Sequence, residues 1–452
     1  MRKISIIAAL ALLSCAALPA GAQAFPEGFM LGNYRLAYRY NPAIGNDTDM
    51  ISVGQFGLNT RANVGAAAFL YPRDGEVVTA LHSSVSGEEF LGNLQERNYN
   101  LSSLNYNLLS YGIARAGAYH TFELNVRGMF GAVVPKSVFE IIKMGADDGK
   151  VYDLSDFRGF GNLYADLAYG YSRRLGDIIS VGARAHLLVG LNALDARMTG
   201  FDVQVGSEGA EFVMAADVDM TSRMFGIQTD EYGNMDFSRR LKRDKWRLPS
   251  GAGLAVDLGF VITPVEGLDI SASLLDLGAM LWYYGNAFKA TETTSFEGLQ
   301  GMTMDEMRNG GLQQTLRGVS DDARANFQAR KNSRNVQVSM VPFQAHVGIK
   351  YRMPFYEALS AGLTGMVTDW QGMPYKEARL ALGLCPIDWI DLTANYGVGS
   401  YGTVFGVAGS VRVLRFRATF GLQNGFGGTI PYSSRPLLAN SKTVTLGITY
   451  DL

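Results

Sequence analysis

Cysteine is nearly absent from this chain of 452 residues, which contains only Cys15 and Cys385. Cys15 falls in an N-terminal stretch that reads as an export signal, so the mature chain would keep Cys385 alone. One cysteine excludes an internal disulfide. Because exported proteins often depend on disulfides, a chain of this size without one must be stabilised by its own architecture.

Long apolar runs and charged residues are also scarce. Beyond the N-terminal stretch, no segment approaches the roughly 18 consecutive apolar residues of a transmembrane helix, so none is predicted. The 40 Lys+Arg nearly balance the 42 Asp+Glu, which gives no indication of nucleic acid as a partner. The 4 histidines are scattered, so the sequence predicts no metal site and no cofactor.

The first 24 residues have the order of a secretory signal peptide. Arg2 and Lys3 precede an apolar run from Ile4 to Leu13, and small residues follow up to Ala24. We predict cleavage after Ala24. The alternative is a lipoprotein signal with Cys15 as the lipidated residue; in either case the chain leaves the cytoplasm.

Glycine and aromatic residues are abundant instead, with 53 Gly, 22 Tyr and 24 Phe, and they favour strands in an exported chain. The segment Tyr119–Gly128 alternates, and its apolar members are Phe122, Leu124 and Val126. Successive side chains of a strand point to opposite faces, so this segment has one apolar and one polar surface.

The same alternation recurs in residues 163–191, 253–264, 390–399 and 415–423. Segments of about ten alternating residues can cross a bilayer when tilted, whereas strands of soluble proteins are usually nearer five or six residues. Short turns alternate with long insertions, which is typical of a bacterial outer-membrane barrel. The sequence therefore predicts an all-β, transmembrane antiparallel barrel of about 14 to 16 strands, formed by residues 51–452 after an N-terminal segment, 25–50.

The alternation assigns side chains to the two faces of this barrel. We expect one set to contact lipid: Phe122, Leu124, Leu187, Val256, Phe260, Leu382 and Phe420. We expect a polar set to line the lumen: Glu123, Arg127, Asp166, Arg184, His186, Asp257, Asp276, His346, Glu377, Arg379 and Arg417. Mixed signs of charge favour structural ion pairs over a binding site for this set.

Asp276 is the one exception to strict alternation in that assignment. Counting in steps of two from Ile270 would place its carboxylate in lipid, which is costly. One extra residue in a strand moves all later side chains to the other face. We therefore predict a β-bulge at Leu274-Leu275, which turns Asp276 into the lumen beside Asp257.

Several segments resemble a family of bacterial outer-membrane barrels without an assigned function. They are "YNPA" (residues 40–43), "YSRRLGDIISVGARAHLLVG", "VDLGF" and "LLDLGAMLWYY". That family is distantly similar to long-chain fatty-acid transporter barrels and to attachment-complex barrels of type IX secretion. The first resemblance implies that Asn41, Pro42 and Ala43 form a hatch inside the lumen; a plain turn before the first strand is the alternative.

These features predict a non-enzymatic channel for small or hydrophobic solutes in the outer membrane. The alternative is a scaffold that binds a protein of a secretion complex. A more remote alternative is a barrel phospholipase, which would use His82 and Ser84 of "LHSS", although Ser86 and Glu89 predict a helix start there. The basic segment Ser238–Leu248 could bind lipopolysaccharide phosphates, with a solvated loop as the alternative.

Overall fold

The computed structural model describes most of the chain. The described residues are 26–65, 68–73, 76–145, 150–198, 202–204, 214–215, 218–222, 225–226, 242–243, 249–283, 286–290, 293–294, 330–332, 336–370, 372–426 and 441–452. The predicted signal peptide and most of the basic segment 238–248 therefore lie outside the described residues.

Fourteen antiparallel strands form a closed barrel, within the predicted range of strand number. They are β1 Met50–Ala62, β2 Arg97–Arg115, β3 Ala118–Pro135, β4 Arg158–Leu175, β5 Ile179–Met198, β6 Gly251–Val265, β7 Leu268–Tyr283, β8 in two parts (Val336–Met340 and Gln344–Arg352), β9 Leu359–Asp369, β10 Pro374–Ile387, β11 Ile390–Gly399, β12 Gly402–Val413, β13 Phe416–Phe426 and β14 Ser441–Asp451. Met50 of β1 pairs with Asp451 of β14 and with Gly112 of β2, which closes the ring.

The two ends of the barrel differ. At one end, the short-turn end, tight turns join the strands, as at Ala116-Gly117 between β2 and β3. At the other, the long-loop end, residues 63–96 and 136–157 carry the helices α1 (Gly87–Leu91) and α2 (Lys136–Met144). These loops share an apolar core in which Phe69, Phe90 and Phe139 contact one another. No helix among the described residues has the length and apolar character needed to cross a membrane.

The outer surface of the barrel is apolar. Six of the seven residues predicted to contact lipid are exposed, at 38–59% of their surface, and Leu124 is half-buried. The exposed six are Phe122, Leu187, Val256, Phe260, Leu382 and Phe420. Because strand neighbours alternate, the polar residues between them point inward.

Strand β7 contains the bulge, one residue later than predicted. Val256 pairs with Leu277 and Leu258 pairs with Leu274, which leaves Leu275 and Asp276 opposite Asp257. Asp276 has a φ of +62°, a left-handed conformation that is uncommon outside glycine, and asparagine and aspartate adopt it more readily than most residues. The extra residue buries Asp276 completely and returns Leu277 to the outer surface.

A second irregularity lies beside this bulge, in β8. The ladder between β7 and β8 runs up to Leu275↔Gln344 and resumes at Ala279↔Met340. Residues 341–343 between these pairs include Pro342, which has no backbone N–H to donate. One hydrogen bond, from Val341 N to Gly278 O at 3.0 Å, crosses the interruption.

Residues 26–49, the plug segment, lie inside the barrel rather than on its surface. The segment contains two 3-10 turns, Pro26–Phe29 and Ala37–Arg39. Met30, Leu36 and Tyr38 are at most 2% exposed, although they lie in a short segment that has no core of its own. The barrel wall buries them.

Candidate functional site: the plugged lumen

The Asn-Pro-Ala of the plug segment rests directly on the barrel wall. Asn41 Nδ2 donates to the carbonyl oxygens of Phe260 (3.0 Å) and Ala272 (3.1 Å) on β6 and β7. Its Oδ1 accepts from Ala43 N at 2.9 Å, a local turn that asparagine makes readily and that needs no N–H from Pro42. The structure therefore places these residues in the lumen as a wall-bound turn.

Two glycines make room for this turn. Gly182 and Gly259 are paired across β5 and β6. A Cβ on Gly182 would lie 2.1 Å from the carbonyl oxygen of Pro42, and one on Gly259 would lie 2.2 Å from Asn41 Oδ1. Any larger residue at either position would push the plug segment off the wall.

Glu123 of β3 joins the plug segment to the barrel wall. It accepts from Tyr38 Oη at 2.9 Å and from Arg39 Nε at 2.6 Å, and its other oxygen pairs with Arg184 of β5. Arg39 also donates to Ser110 Oγ at 2.8 Å. Charge-assisted hydrogen bonds of this kind are strong and directional, so Glu123 is the main polar anchor of the plug segment.

A layer of charged side chains continues from this anchor across β3 to β7. Arg184 Nη1 pairs with Asp257 at 3.1 Å, and His186 bridges Asp166 and Asp257 at 2.9 and 3.0 Å. Arg127 pairs with Asp166 at 3.2 Å and, across the lumen, with Asp276 at 2.8 Å.

The charged layer contains one set of groups with metal-ligand spacing. Ligand atoms of His186, Asp257 and Asp276 lie within 4.8 Å of one another. Arg184 and Arg127 already donate to the two carboxylates, so positive charge is in place where a cation would bind. The arrangement fits an internal ion-pair network better than a metal centre.

The remaining predicted lumen residues form separate groups on the opposite wall. Glu377 accepts from Arg379 Nε at 2.6 Å, and Arg379 also donates to Gln423 at 2.9 Å. His346 packs against Tyr40 of the plug segment, with ring centroids 4.6 Å apart. Arg417 of β13 is 1% exposed, and its Nη1 donates to Ser410 Oγ of β12 at 3.3 Å.

A cavity of about 990 Å³ lies between the plug segment and the short-turn end. Asp391 accepts from the backbone N–H of Asn33 at 2.9 Å, and Lys350 Nζ donates to the carbonyl of Phe29 at 3.3 Å. Cys385 lines the same cavity and accepts from Asn33 Nδ2 at 3.3 Å. The plug segment is thus tied to the wall on this side as well.

The lumen towards the long-loop end is lined by apolar side chains. They are buried and form two clusters, which include Leu101, Met129, Phe160, Trp370 and Met373 on one side and Tyr164, Leu188, Met280 and Trp282 on the other. Apart from Met280, which the predicted bulge turns inward together with Asp276, sequence reasoning missed this layer because it treated inward positions as polar. The available signal was the two-residue period of a strand: Met129 lies two residues after Arg127, and Met280 lies four after Asp276, so they share the inward face.

His82 and Ser84 lie in an exposed loop at the long-loop end. His82 Nδ1 and Ser84 Oγ are 2.8 Å apart, and Ser86 caps α1 by accepting from Glu89 N, as predicted. The pair lies outside the lumen, and the carbonyl of His82 accepts from Lys143. A nucleophile also needs an oriented base and an oxyanion site. The described contacts of this loop provide neither.

Comparisons with known proteins place the chain in a family. A profile described as "Family of unknown function (DUF5723)" matches residues 43–422. No curated protein matches the sequence.

Several solved structures are similar in overall shape. The Ralstonia pickettii toluene transporter TbuX has 8% identity and a TM-score of 0.48, over 95% of this chain and 99% of that one. A Pseudomonas aeruginosa FadL homologue has 12% identity and a TM-score of 0.43, over 96% of each chain. The P. putida toluene transporter TodX has 8% identity and a TM-score of 0.40, over 96% of each chain. At such low values, these similarities say nothing about what this chain binds or transports.

Proposed function

The chain belongs to the DUF5723 family of unknown function, and we propose that it is an outer-membrane channel for small or hydrophobic solutes that opens when its plug segment moves. The exterior supports the membrane location. A closed barrel has no unpaired strand edge, which is what hydrocarbon requires. Outward residues such as Leu187, Leu254 and Leu382 are apolar and 50–67% exposed, which would be costly in water.

One observation carries the proposal for hydrophobic solutes: the apolar layer of the lumen near the long-loop end. Inward positions of an aqueous pore are polar, whereas here Met129, Phe160 and Trp370 are buried together in the interior. Ligand sites for apolar molecules are lined in this way, with a few polar groups that fix orientation. The layer lies between the long loops and the charged layer, on the path through the barrel.

The plug segment is suited to act as the gate of this channel. Polar contacts hold it at several points: Arg39 to Glu123, Arg35 to Asp451, and Asn33 to Asp391. Such contacts can exchange for water when the segment leaves. Because Gly182 and Gly259 have no side chains, the plug segment could return to the same position on the wall without a steric clash.

Reconstituted vesicles provide the test. Uptake of a small apolar solute, such as toluene, would be compared for the full-length mature chain, for a variant that lacks residues 26–46, and for Arg39→Gln. We expect faster uptake in both variants, because each weakens the plug. Asp47→Asn, an exposed carboxylate of the plug segment, is the control and should leave uptake unchanged. Equal uptake in all four proteins would refute gating by the plug segment, and uptake no faster than in protein-free vesicles would refute the channel.

A scaffold for a secretion complex is the second candidate, because the lumen among the described residues is not open from end to end. The plug segment and the charged layer together block the route between the large cavity and the apolar layer. Affinity purification from the native membrane would separate the two functions. Two results together would favour the scaffold: a stoichiometric protein partner that the plug-deleted variant retains, and no solute uptake by that variant.

We propose further that the outer surface contacts outer-membrane lipid and that the basic segment 238–248 binds lipopolysaccharide. The sequence supports the second proposal, because residues 239–247, "RRLKRDKWR", include six basic residues. Replacing this segment by a neutral one of equal length should weaken lipopolysaccharide binding without changing solute uptake.

A further inference from the structure

The guanidinium group of Arg39, in the plug segment, is matched atom by atom to oxygen acceptors of the barrel wall. Its Nε donates to Glu123 Oε1 at 2.6 Å, its Nη2 donates to Ser110 Oγ at 2.8 Å, and its Nη1 donates to Gln55 Oε1. The three acceptors are at most 6% exposed and lie on β3, β2 and β1. Each nitrogen of the planar group therefore has its own buried acceptor, on a different strand.

The wall itself holds two of these acceptors in place. Glu123 uses its other oxygen to pair with Arg184 of β5. Ser110 Oγ donates to Asn107 Oδ1 at 3.1 Å, and the amide of Asn107 is in turn fixed by a 2.8 Å hydrogen bond to Asn125. None of these contacts involves the plug segment, so both acceptors keep their orientation when that segment leaves.

Two irregularities of the wall direct the other side chains to this point. In β1 the pairing with β14 shifts after Val53, and in β2 the pairing with β3 shifts after Asn107. One extra residue in a strand moves all later side chains to the other face. Without these shifts, Gln55 and Ser110 would point away from the lumen. Bulges are frequent beside functional sites, where they redirect a side chain in this way.

The second arginine of the plug segment is held more simply. Arg35 donates from Nε at 2.9 Å and from Nη2 at 3.2 Å to the two oxygens of Asp451. One carboxylate is thus sufficient to anchor an arginine of this segment. The neutral acceptors around Arg39 do more than anchor it, because a planar group with donors in a fixed geometry is recognised by acceptors placed around that plane.

We propose that Glu123, Ser110 and Gln55 form a binding site for small solutes that carry a guanidinium group, and that Arg39 keeps the channel closed by occupying this site. The space for the ligand is the space that the side chain of Arg39 fills, so ligand binding and closure exclude each other. A guanidinium compound that displaces Arg39 would release the plug segment. The inference names a ligand class for the proposed channel and rests on the proposed function only for the passage that follows binding.

Calorimetry on the purified, full-length mature protein in detergent tests the binding, with methylguanidinium as the probe. We expect Arg39→Ala, which vacates the site, to bind about tenfold more tightly or better than the unaltered protein, in which Arg39 competes for the same charge-assisted hydrogen bonds.

Removing acceptors in the Arg39→Ala background should weaken this binding. Glu123→Gln should weaken it by about tenfold or more, because the negative charge is lost, and Gln55→Ala should weaken it severalfold. Gln55→Ala removes only a neutral acceptor, so it remains informative if the variant with Glu123→Gln fails to fold.

Arg35→Ala is the matched control, since it vacates a guanidinium position that only Asp451 lines among the described contacts. It should bind methylguanidinium more weakly than Arg39→Ala does. Urea, which is planar but uncharged, should not bind to Arg39→Ala, and methylammonium, which is charged but not planar, should bind severalfold more weakly than methylguanidinium. Equal binding by the two alanine variants, or no preference for methylguanidinium over methylammonium, would overturn the site.

Displacement of the plug segment is measured in the unaltered protein by maleimide labelling of Cys385, to whose sulfur Asn33 donates. Labelling should accelerate with methylguanidinium chloride and reach a plateau, and sodium chloride at the same ionic strength should have a smaller effect that does not saturate. Unchanged labelling, or equal effects of the two salts, would overturn displacement by the ligand. Neither measurement uses solute uptake, so failure of the probe to bind refutes only this inference, and binding without uptake refutes only the channel.

Discussion

Gly259 and Asn41 are in such close contact that a single methyl group on Gly259 would lie 2.2 Å from Asn41 Oδ1. The contact joins a barrel strand to a turn more than two hundred residues earlier in the chain. It makes the position of the plug segment depend on the absence of a side chain in the wall.

Gly259→Ala should therefore displace the plug segment. The reactivity of Cys385 provides the measurement, because Asn33 of the plug segment donates to its sulfur. We expect faster labelling of Cys385 by a maleimide in Gly259→Ala than in the unaltered protein. Gly159→Ala is the control, since a Cβ there meets no atom within 4 Å. Identical labelling rates in the three proteins would contradict the contact between the plug segment and Gly259.

Asp276 should matter more to stability than other carboxylates of the same strand. Asp276→Ala removes a buried partner of Arg127 and leaves a non-glycine residue at a φ of +62°. Breaking one side of a buried ion pair costs about 3–5 kcal/mol, and we expect the lower end of this range because Arg127 keeps Asp166 as a partner. The check is the free energy of unfolding by urea in lipid vesicles.

Two further variants show whether the stability loss in Asp276→Ala comes from the ion pair. Asp269→Ala, in the same strand, loses a hydrogen bond from Thr263 and should cost only about 1 kcal/mol. Asp276→Asn keeps an acceptor for Arg127 and a residue that tolerates the left-handed conformation, so it should fall between the two. Equal effects of the two alanine variants would show that the ion pair does not stabilise the bulge.

An arginine on the outer surface tests the membrane location. Leu187 is 50% exposed and points outward from the middle of the barrel. Leu187→Arg should cost about 2–4 kcal/mol in a bilayer if it lies near the midplane. Val77→Arg, at a position 62% exposed in the loop 63–96, should stay within about 0.5 kcal/mol of the unaltered protein. A cost for Leu187→Arg no larger than for Val77→Arg would argue against lipid contact.

Asp49 gives the attachment of the plug segment a pH dependence. The backbone N–H of Ala114 donates to it at 2.8 Å, and with Arg115 this holds its pKa below the ordinary value of 3.8. A carboxylate with a lowered folded-state pKa stabilises above its unfolded pKa, and the contribution disappears as pH falls through the folded-state value. The stability difference between the unaltered protein and Asp49→Asn should thus shrink below about pH 4, as measured by urea midpoints. A difference between the two proteins that does not change down to about pH 3 would contradict this role of Asp49.

The alternation of side chains allowed much of this architecture to be predicted, because the two-residue period of a strand is local. It assigned Leu187 to the outside and His186 to the inside from their positions alone. The bulge also followed from one residue, since a carboxylate such as Asp276 is costly in lipid. Its location differed by one residue because the pairing register depends on the neighbouring strand.

The contacts of the plug segment could not be predicted in the same way. Arg39 and Glu123 are separated by 84 residues, and nothing local to either one specifies the other. The contact between Arg61 and Met366 has the same origin, because closure of the barrel brings β1 to face β9. Such juxtapositions depend on strand number and tilt, which single-strand patterns do not fix.

The pairing of β1 with β14 has a consequence for biogenesis. Arg35 and Asp451, which join the plug segment to the last strand, are 416 residues apart. The wall cannot become a ring until the final strand is present, whereas the plug segment precedes every strand of the barrel in the chain. The plug is therefore enclosed during assembly and does not have to be threaded into a finished ring, so the order of synthesis and the order of closure agree.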